Sequence, residues 1–252
     1  MEKLAGKVAI VTGSGQGLGK AYATVFAKEG ACVAIVDLNG DNAAQTAAEI
    51  KENGGRAIAV AADVSNQEQV NEAVKQTVEA FGTVDILVNN AQGLARSKPL
   101  IEVTTSDMEI TWRTGPLGTL YFMQACYPYM KENGGRVINV CSDTGIEGFT
   151  GFTAYGSAKE AIRAITRVAA REWGKDNITV NVVSPGAMTP AAKAFMEAEP
   201  EKYAAIMAPV PMGRLGDPVE DIAPGLVFLA SEDGKFITGQ TIELNGGHTF
   251  VR

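Results

Sequence analysis

The stretch "KVAIVTGSGQGLGKAYA", residues 7–23, decides the fold of this 252-residue chain. Its first half is a short run rich in Val and Ile, which is typical of a strand buried on both faces of a sheet. Its second half is a glycine-rich turn that opens the first amphipathic helix. A buried strand that leads through such a turn into a helix is the first unit of a parallel α/β sheet.

The same alternation continues along the whole chain. Longer amphipathic segments separate six further apolar runs, and we find no repeat, linker or low-complexity tract. The predicted strands are "KVAIVTG" (7–13), "ACVAIVD" (31–37), "RAIAVAAD" (56–63), "DILVNNA" (85–91), "RVINVCS" (136–142), "ITVNVVSPG" (178–186) and "TIELNGG" (241–247), and the predicted helices span 17–30, 41–53, 66–81, 104–131, 152–174 and 217–231. We therefore predict one doubly wound α/β domain over residues 1–252, with a seven-stranded parallel sheet between helices.

Composition excludes several classes of function. The net charge of −7 and the pI near 4.9 disfavour a nucleic-acid partner, because no basic run would meet phosphates. No apolar run is long enough to cross a membrane, and the first residues lack a secretory segment. Three cysteines without a CxxC pair and a single histidine, His248, disfavour a disulfide framework, a metal site and a Ser-His-Asp triad. We expect a cytoplasmic protein with no metal.

Helix ends and prolines give further local predictions. In "DPVED", Asp217 is placed to cap a helix that has a proline at its first position. Pro116 and Pro224 lie inside helical patterns and each removes one backbone donor, so we expect a kink or break at both. The segment 187–215 has weak periodicity and follows the end of a strand, where ligands bind in sheets of this type. It is predicted to be a substrate lid.

The glycine-rich turn predicts a dinucleotide site. Gly13, Gly17 and Gly19 lie between a strand and a helix, and glycine there allows positive φ and close approach of a pyrophosphate to backbone amides. Asp37 closes the second strand, where a carboxylate accepts hydrogen bonds from both hydroxyls of an adenosine ribose and repels a 2′-phosphate. Leu38 follows Asp37 where an arginine would favour that phosphate. The residues therefore favour NAD over NADP.

Four further motifs complete a pattern that covers essentially the whole chain. "NNA" at 89–91, Ser142, "YGSAK" at 155–159 and "SPG" at 184–186, with the turn above, resemble the classical short-chain dehydrogenase/reductase family. Ser142 precedes Tyr155 by 13 residues, which is the usual interval in that family. The resemblance implies a Rossmann domain with strand order 3-2-1-4-5-6-7, a homotetramer paired through the 104–131 and 152–174 helices and the C-terminal strand, and oxidation of a secondary alcohol or reduction of its ketone.

Tyr155 and Lys159 lie one helical turn apart, on one face. A free tyrosine is scarcely ionised near neutral pH, so the neighbouring ammonium, with the positive nicotinamide nearby, is expected to lower its pKa and make it a general acid/base. The resemblance gives Lys159 a second role, a hydrogen bond to the nicotinamide ribose. Ser142 would donate a hydrogen bond to the substrate oxygen.

The resemblance also assigns cofactor contacts outside these residues. Besides Tyr155 and Lys159 the predicted cofactor-binding set is Gly13, Gln16, Gly17, Leu18, Gly19, Asp37, Leu38, Asp63, Val64, Asn90, Ala91, Pro185, Gly186, Met188 and Thr189. Local alternatives stay open for three positions: Asp63 as the cap of a turn, Asn90 as a partner of strand backbone, and Pro185 with Gly186 as the end of a strand.

Two positions depart from the family pattern. Gly115, followed by Pro116, stands where the family has an asparagine whose main-chain carbonyl anchors a water in a proton relay to the lysine, and Gln92 stands where "NNAG" has glycine. The helix break and the carbonyl can persist without the asparagine side chain. Gln92 is placed to bind a polar group of the substrate. The predicted substrate pocket is Gln92, Asp143, Phe149, Phe152, Met188 and Phe195, together with Glu147 and Met196.

Two other functions fit the motifs. One is a 3-oxoacyl-thioester reductase, against which Asp37 and the acidic surface count. The other is a dinucleotide-binding or regulatory protein without catalysis, which only Gly115 supports. The intact set Ser142, Tyr155 and Lys159 favours the dehydrogenase.

Overall fold

A parallel seven-stranded sheet forms the centre of the computed structural model, which describes residues 2–251. Its strand order is 3-2-1-4-5-6-7, so the predicted fold class and order are confirmed. The strands are β1 Val8–Thr12, β2 Cys32–Asp37, β3 Arg56–Ala61, β4 Ile86–Asn89, β5 Gly135–Val140, β6 Ile178–Pro185 and β7 Thr241–Leu244.

Helices cover both faces of this sheet. They are α1 Gly17–Lys28, α2 Gly40–Glu52, α3 Gln67–Phe81, α4 Thr105–Trp112, α5 Gly118–Met130, α6 Asp143–Glu147, α7 Thr153–Trp173, α8 Pro190–Ala198, α9 Pro200–Met207 and α10 Ala223–Ala230. Side chains alternate along each strand: Ala9 and Val11 pack with α1, α2 and α10, whereas Ile10 packs with α3, α5 and α7. Burial on both faces explains why the strands read as continuous apolar runs.

The predicted 104–131 helix is interrupted where Pro116 predicted it. Residues Arg113–Leu117 form one π-helical turn between α4 and α5. Near Pro224 the break comes earlier than expected, because a π turn at Pro218–Ile222 precedes α10 and leaves Pro224 in its first turn. Asp217 caps that segment as predicted, accepting from two backbone amides. A further proline, Pro128, lies inside α5 near its end without breaking it.

The segment 187–215 is more ordered than its weak periodicity suggests. It contains α8 and α9, and Thr189 caps α8 by accepting from the Ala192 amide at 3.2 Å. Its first residues bridge to Gly216 through a short parallel contact at Ala187. Its role as a lid stays a prediction. Within residues 2–251, no helix combines the length and apolarity needed to span a bilayer.

Candidate active site

The predicted site residues lie at the carboxyl edge of the sheet, because parallel strands all end at the same edge. Gly13 follows β1, Asp37 ends β2, Asn90 follows β4 and Ser142 follows β5. One cleft brings the residues from the first four strands together. It is lined by Gly13, Gln16, Asp37, Leu38, Ala62, Asp63, Val64, Asn90, Ala91, Gln92, Gly93 and Thr114.

The glycine turn has the geometry of an anion cradle. Gly13 and Gly17 have φ values of +63° and +57°, a region that other residues rarely adopt. A Cβ on Gly19 would overlap the carbonyl oxygen of Gly13, so the turn and α1 are packed too closely for a side chain. Gln16, the N-cap residue of α1, makes no side-chain capping bond. The first amides of α1 are thus left to bind an anion such as a pyrophosphate.

Asp37 is held rigidly beside this turn. Its carboxylate accepts from the Gly15 amide at 2.8 Å and from the Asn39 amide at 2.9 Å. These two bonds fix the carboxylate in the cleft at the end of β2, while the side chain of Leu38 is exposed. Residues that fit a ribose and residues that fit a pyrophosphate therefore line one continuous cleft.

Asp63 and Asn90 line the cleft and also have local roles. Asp63 accepts from the Ser65 amide at 2.8 Å, which is the turn cap left open by the sequence. Asn90 donates to the carbonyl oxygens of Thr12 and Gly13 at 2.9 and 3.2 Å. The amide of Asn90 thus ties β4 to the glycine turn. Both local alternatives occur, and neither removes the residue from the cleft.

Gly186, one of the predicted residues at the end of β6, lines a second pocket together with Gly216 and Leu244. Pro185 ends β6, and Gly186 donates its amide to Leu244 of β7 at 2.9 Å. The Met188 amide donates to Gly216 at 2.8 Å, which holds the start of the 187–215 segment against the chain. Leu18, in the first turn of α1, is partly buried and packs against the core.

The three predicted catalytic residues come together between β5 and α7. Ser142 caps α6 by accepting from the Thr144 amide, and it hydrogen-bonds Tyr155. Lys159 is 3% exposed, and its Nζ lies 5.3 Å from the centroid of the Tyr155 ring. That ammonium donates to the carbonyl oxygen of Val140 at 2.8 Å. Small neighbours, Gly156 and Ala158, let this part of α7 pack closely.

Burial controls the ionisation of both α7 side chains. It raises the pKa of Tyr155 to about 12, against a lowering by the hydrogen bond with Ser142. It lowers the pKa of Lys159 from 10.5 to about 8. Burial therefore dominates in the polypeptide alone, and the lowering expected from Lys159 together with a bound nicotinamide stays a prediction. Loss of hydration disfavours both charges, and the ammonium is directed at Val140.

His248, which the sequence analysis set aside, lies at the site. Its Nδ1 is 2.9 Å from Oδ2 of Asp143, whose Oδ1 lies 3.1 Å from the hydroxyl of Ser142. The C-terminal segment is thereby joined to Ser142 through one carboxylate. The negative charge of Asp143 also raises the pKa of Tyr155. No motif signals this contact, because 105 residues separate the partners.

Part of the predicted substrate pocket gathers around Tyr155. The ring of Phe152 packs edge-on to that of Tyr155 with centroids 6.4 Å apart, and Phe149 lies 6.1 Å from the His248 ring. Phe149 and, on α8, Phe195 are each about two-fifths exposed, at 40% and 38%. Phe149 and Phe152 thus supply apolar surface beside His248 and Tyr155, and Phe195 exposes an apolar ring on α8.

Gln92, another residue of the predicted pocket, has a different placement. Its carboxamide lies against Gly115 in the π turn, and a Cβ on Gly115 would be only 2.9 Å from its Nε2. Gln92 lines the cleft with Gly13 and Asp37, apart from the aromatic residues. The two departures from the family pattern are thus in contact with each other.

Comparison with known proteins places this architecture among oxidoreductases. A family model described as enoyl-(acyl carrier protein) reductase matches residues 13–249. The chain is 42% identical to a 12α-hydroxysteroid dehydrogenase of Clostridium sp. over 249 residues, 96% of each protein. It is 39% identical to the (2S)-[(R)-hydroxy(phenyl)methyl]succinyl-CoA dehydrogenase subunit of Thauera aromatica over 96% of each protein. A solved structure of 7α-hydroxysteroid dehydrogenase with NADH and 7-oxo glycochenodeoxycholic acid has a TM-score of 0.91, 34% identity, and coverage of 97% of this chain and 95% of that one.

Proposed function

Because this chain belongs to the short-chain dehydrogenase/reductase family of oxidoreductases, we propose that it is an NAD-dependent dehydrogenase that interconverts a secondary alcohol and its ketone. The observation that carries the proposal is the meeting of Ser142, Tyr155 and Lys159 at the sheet edge where the Gly13–Asp37 cleft opens. A proton-transfer group and a dinucleotide cradle on one edge are what hydride chemistry requires.

Each of the three residues has a separate task. Tyr155 takes the hydroxyl proton of the alcohol at its phenolic oxygen, or returns it to the ketone. Ser142 donates to the substrate oxygen and limits its developing charge. Lys159 opposes the effect of burial on the tyrosine by placing a cation near its ring. The bound nicotinamide would supply the hydride acceptor, and Gly13, Gly19 and Asp37 would hold the dinucleotide.

The raised pKa of Tyr155 gives the two directions different pH dependence. With a pKa near 12 the hydroxyl stays protonated at neutral pH, which suits proton donation to a ketone. Alcohol oxidation needs the phenolate, so its rate is expected to rise with pH across the alkaline range. The oxidative direction therefore depends more heavily on Lys159 and on cofactor charge.

NAD rather than NADP is the proposed cofactor. The fixed carboxylate of Asp37 accepts ribose hydroxyls and repels a 2′-phosphate, and Leu38 brings no cation to it. A neighbouring structure holds NADH, which supports a nicotinamide dinucleotide in this fold.

Hydroxysteroids are the first substrates to test. Two of the relatives with named substrates act on a ring-borne and a benzylic alcohol, and Phe149, Phe152 and Phe195 offer apolar surface of a kind that such rigid molecules bury. A panel of steroidal, cyclic and benzylic alcohols, mixed with NAD and enzyme, tests this by the appearance of NADH absorbance. Turnover of none of these alcohols, nor of their ketones with NADH, would contradict the proposal.

A thioester substrate is the second candidate. The description of the matching family model and the CoA substrate of one relative favour it. If the protein reduces a 3-oxoacyl thioester and turns over no free alcohol, this result would favour the thioester as its substrate. A silent dinucleotide-binding protein would bind NADH tightly and turn over nothing.

We also propose a homotetramer in a reducing, cytoplasmic compartment. Apolar surface is exposed on α4, α5 and α7, the helices that are predicted to pair. The exposed residues are Ile110, Trp112, Tyr129 and Val168. The three cysteines are unpaired and buried. Light scattering after size-exclusion chromatography tests the assembly, and a monomeric mass would contradict it.

A further inference from the structure

The carboxamide of Gln92 is buried, and neither its oxygen nor its nitrogen has a hydrogen-bond partner among the described residues. Desolvation of an amide without a replacement hydrogen bond weakens the fold, so buried amides are nearly always paired. An unpaired carboxamide that lines an open cleft is therefore a group prepared for a ligand.

Gly115 creates the space that this carboxamide fills. A Cβ at position 115 would lie 2.9 Å from Nε2 and 3.0 Å from Cδ of Gln92. Any larger residue in the π turn would thus displace the amide. The missing side chain at Gly115 thus leaves the space that the Gln92 carboxamide occupies.

Nearby side chains of the cleft are already committed to other bonds. The Thr114 hydroxyl lies 2.9 Å from the Gly93 amide and 2.8 Å from the Ile110 carbonyl. The Asn90 amide donates to Thr12 and Gly13. The Thr114 hydroxyl and the Asn90 side-chain nitrogen are thus engaged elsewhere and leave the Gln92 carboxamide without a partner among the described residues.

We propose that the Gln92 carboxamide is a ligand-binding group of this site and hydrogen-bonds a hydroxyl of the bound dinucleotide or of the substrate alcohol. A carboxamide both donates and accepts, as does a hydroxyl, so the two are complementary. This inference rests on the proposed function, because that function supplies both hydroxyl-bearing ligands.

Gln92→Met tests the proposal, since it keeps the length of the side chain and removes both polar atoms. Three quantities are measured for it: the thermal midpoint without ligand, the Kd of NADH alone by fluorescence titration, and the KM of the alcohol at saturating NAD. The ligand-free midpoint is expected to hold or rise, while one affinity falls roughly three- to tenfold, as for one or two lost neutral hydrogen bonds. Gln76→Met, an exposed change on α3, is the matched control and should alter none of them.

The Kd of NADH and the KM of the alcohol distinguish the two possible sources of the hydroxyl. A weaker Kd for NADH alone assigns the amide to the dinucleotide, and a higher KM with unchanged Kd assigns it to the substrate. Gly115→Ala should lower the same affinity in the native background and have little further effect after Gln92→Gly, because the steric conflict is then gone.

A purely space-filling role would give another pattern. Gln92→Met would then raise the midpoint and leave both affinities within twofold of the native values, which overturns the inference while the proposed function stands. If the native protein itself neither binds a nicotinamide dinucleotide nor turns over an alcohol, the proposed function fails, and this inference fails with it.

Discussion

Replacing Lys159 with methionine is expected to make the folded protein more stable at neutral pH while it removes alcohol oxidation. The ammonium is 3% exposed, and one hydrogen bond to the Val140 carbonyl is its only polar contact among the described residues. Burial of a charge costs free energy of folding, and Met fills similar space without that cost. Stability and activity should therefore move in opposite directions at this position.

The size of the effect follows from the shifted pKa. A fall from 10.5 to about 8 corresponds to roughly 3 kcal/mol against the charged form, at 1.36 kcal/mol per pH unit. Loss of the hydrogen bond to Val140 takes back about 1 kcal/mol. The variant should gain about 2 kcal/mol at pH 7, or roughly 4–8 °C in Tm for a chain of this size.

The sign of the pH dependence is fixed by the same shift. Between pH 8 and 10.5 the unfolded chain keeps the Lys159 proton that the folded chain has released, so rising pH stabilises the native protein. The cost of the buried charge is present at pH 7 and disappears as the pH rises through that window. Urea unfolding of the native protein and of Lys159→Met at several pH values measures the difference between their free energies of unfolding. The other titratable groups are the same in the two proteins, so their contributions cancel in that difference.

Two outcomes would refute this reasoning. A variant less stable than the native protein at pH 7 would mean that Lys159 contributes a favourable interaction larger than its desolvation. A stability difference independent of pH up to 10.5 would mean that the ammonium is not perturbed by burial. Lys75→Met, an exposed change on α3, controls for the substitution itself.

Three further changes test other parts of the site. Asp37→Asn should raise kcat/KM with NADP at least about fivefold and lower it with NAD, because removal of one charge about 4 Å from a phosphate relieves at least ~1 kcal/mol of repulsion; an unchanged NAD/NADP ratio would contradict the role given to that carboxylate. Gly19→Ala should weaken NADH binding and lower stability by about 1–3 kcal/mol in urea unfolding, because its Cβ would overlap the Gly13 carbonyl, and native affinity would refute the cradle. His248→Phe should lower kcat/KM for the alcohol more than His248→Gln does, because Gln can still donate to Asp143. The Kd of NADH should be unchanged in both variants. Equal rates in the native protein and the two variants would place His248 outside the reaction.

Repeating local patterns made the fold predictable from the sequence. Seven apolar runs alternated with amphipathic segments, and the ends of parallel strands necessarily meet at one edge. Gly13, Asp37, Asn90 and Ser142 each follow or end a strand, so their meeting at that edge could be predicted. The break at Pro116 followed equally directly from a missing backbone donor.

Contacts between distant segments were not predictable in this way. The pairing of His248 with Asp143 depends on how the last residues fold back over β5, and no periodicity records that path. The contact of Gln92 with Gly115 depends on the π turn, whose geometry the single proline did not specify. The effect of burial on the pKa of Tyr155 was not predictable either, because desolvation is set by the whole surroundings, whereas the YGSAK motif shows only one neighbour.

The most direct test of the central claim is a single turnover of Tyr155→Phe with bound NAD and an alcohol that the native enzyme oxidises. The change removes only the phenolic oxygen, and Tyr129→Phe, at an exposed position on α5, is the matched control. Formation of NADH should fall by at least about a hundredfold, the usual contribution of a general base, while the Kd of NADH stays within a few-fold of native. Native rates in Tyr155→Phe would show that another group moves the proton.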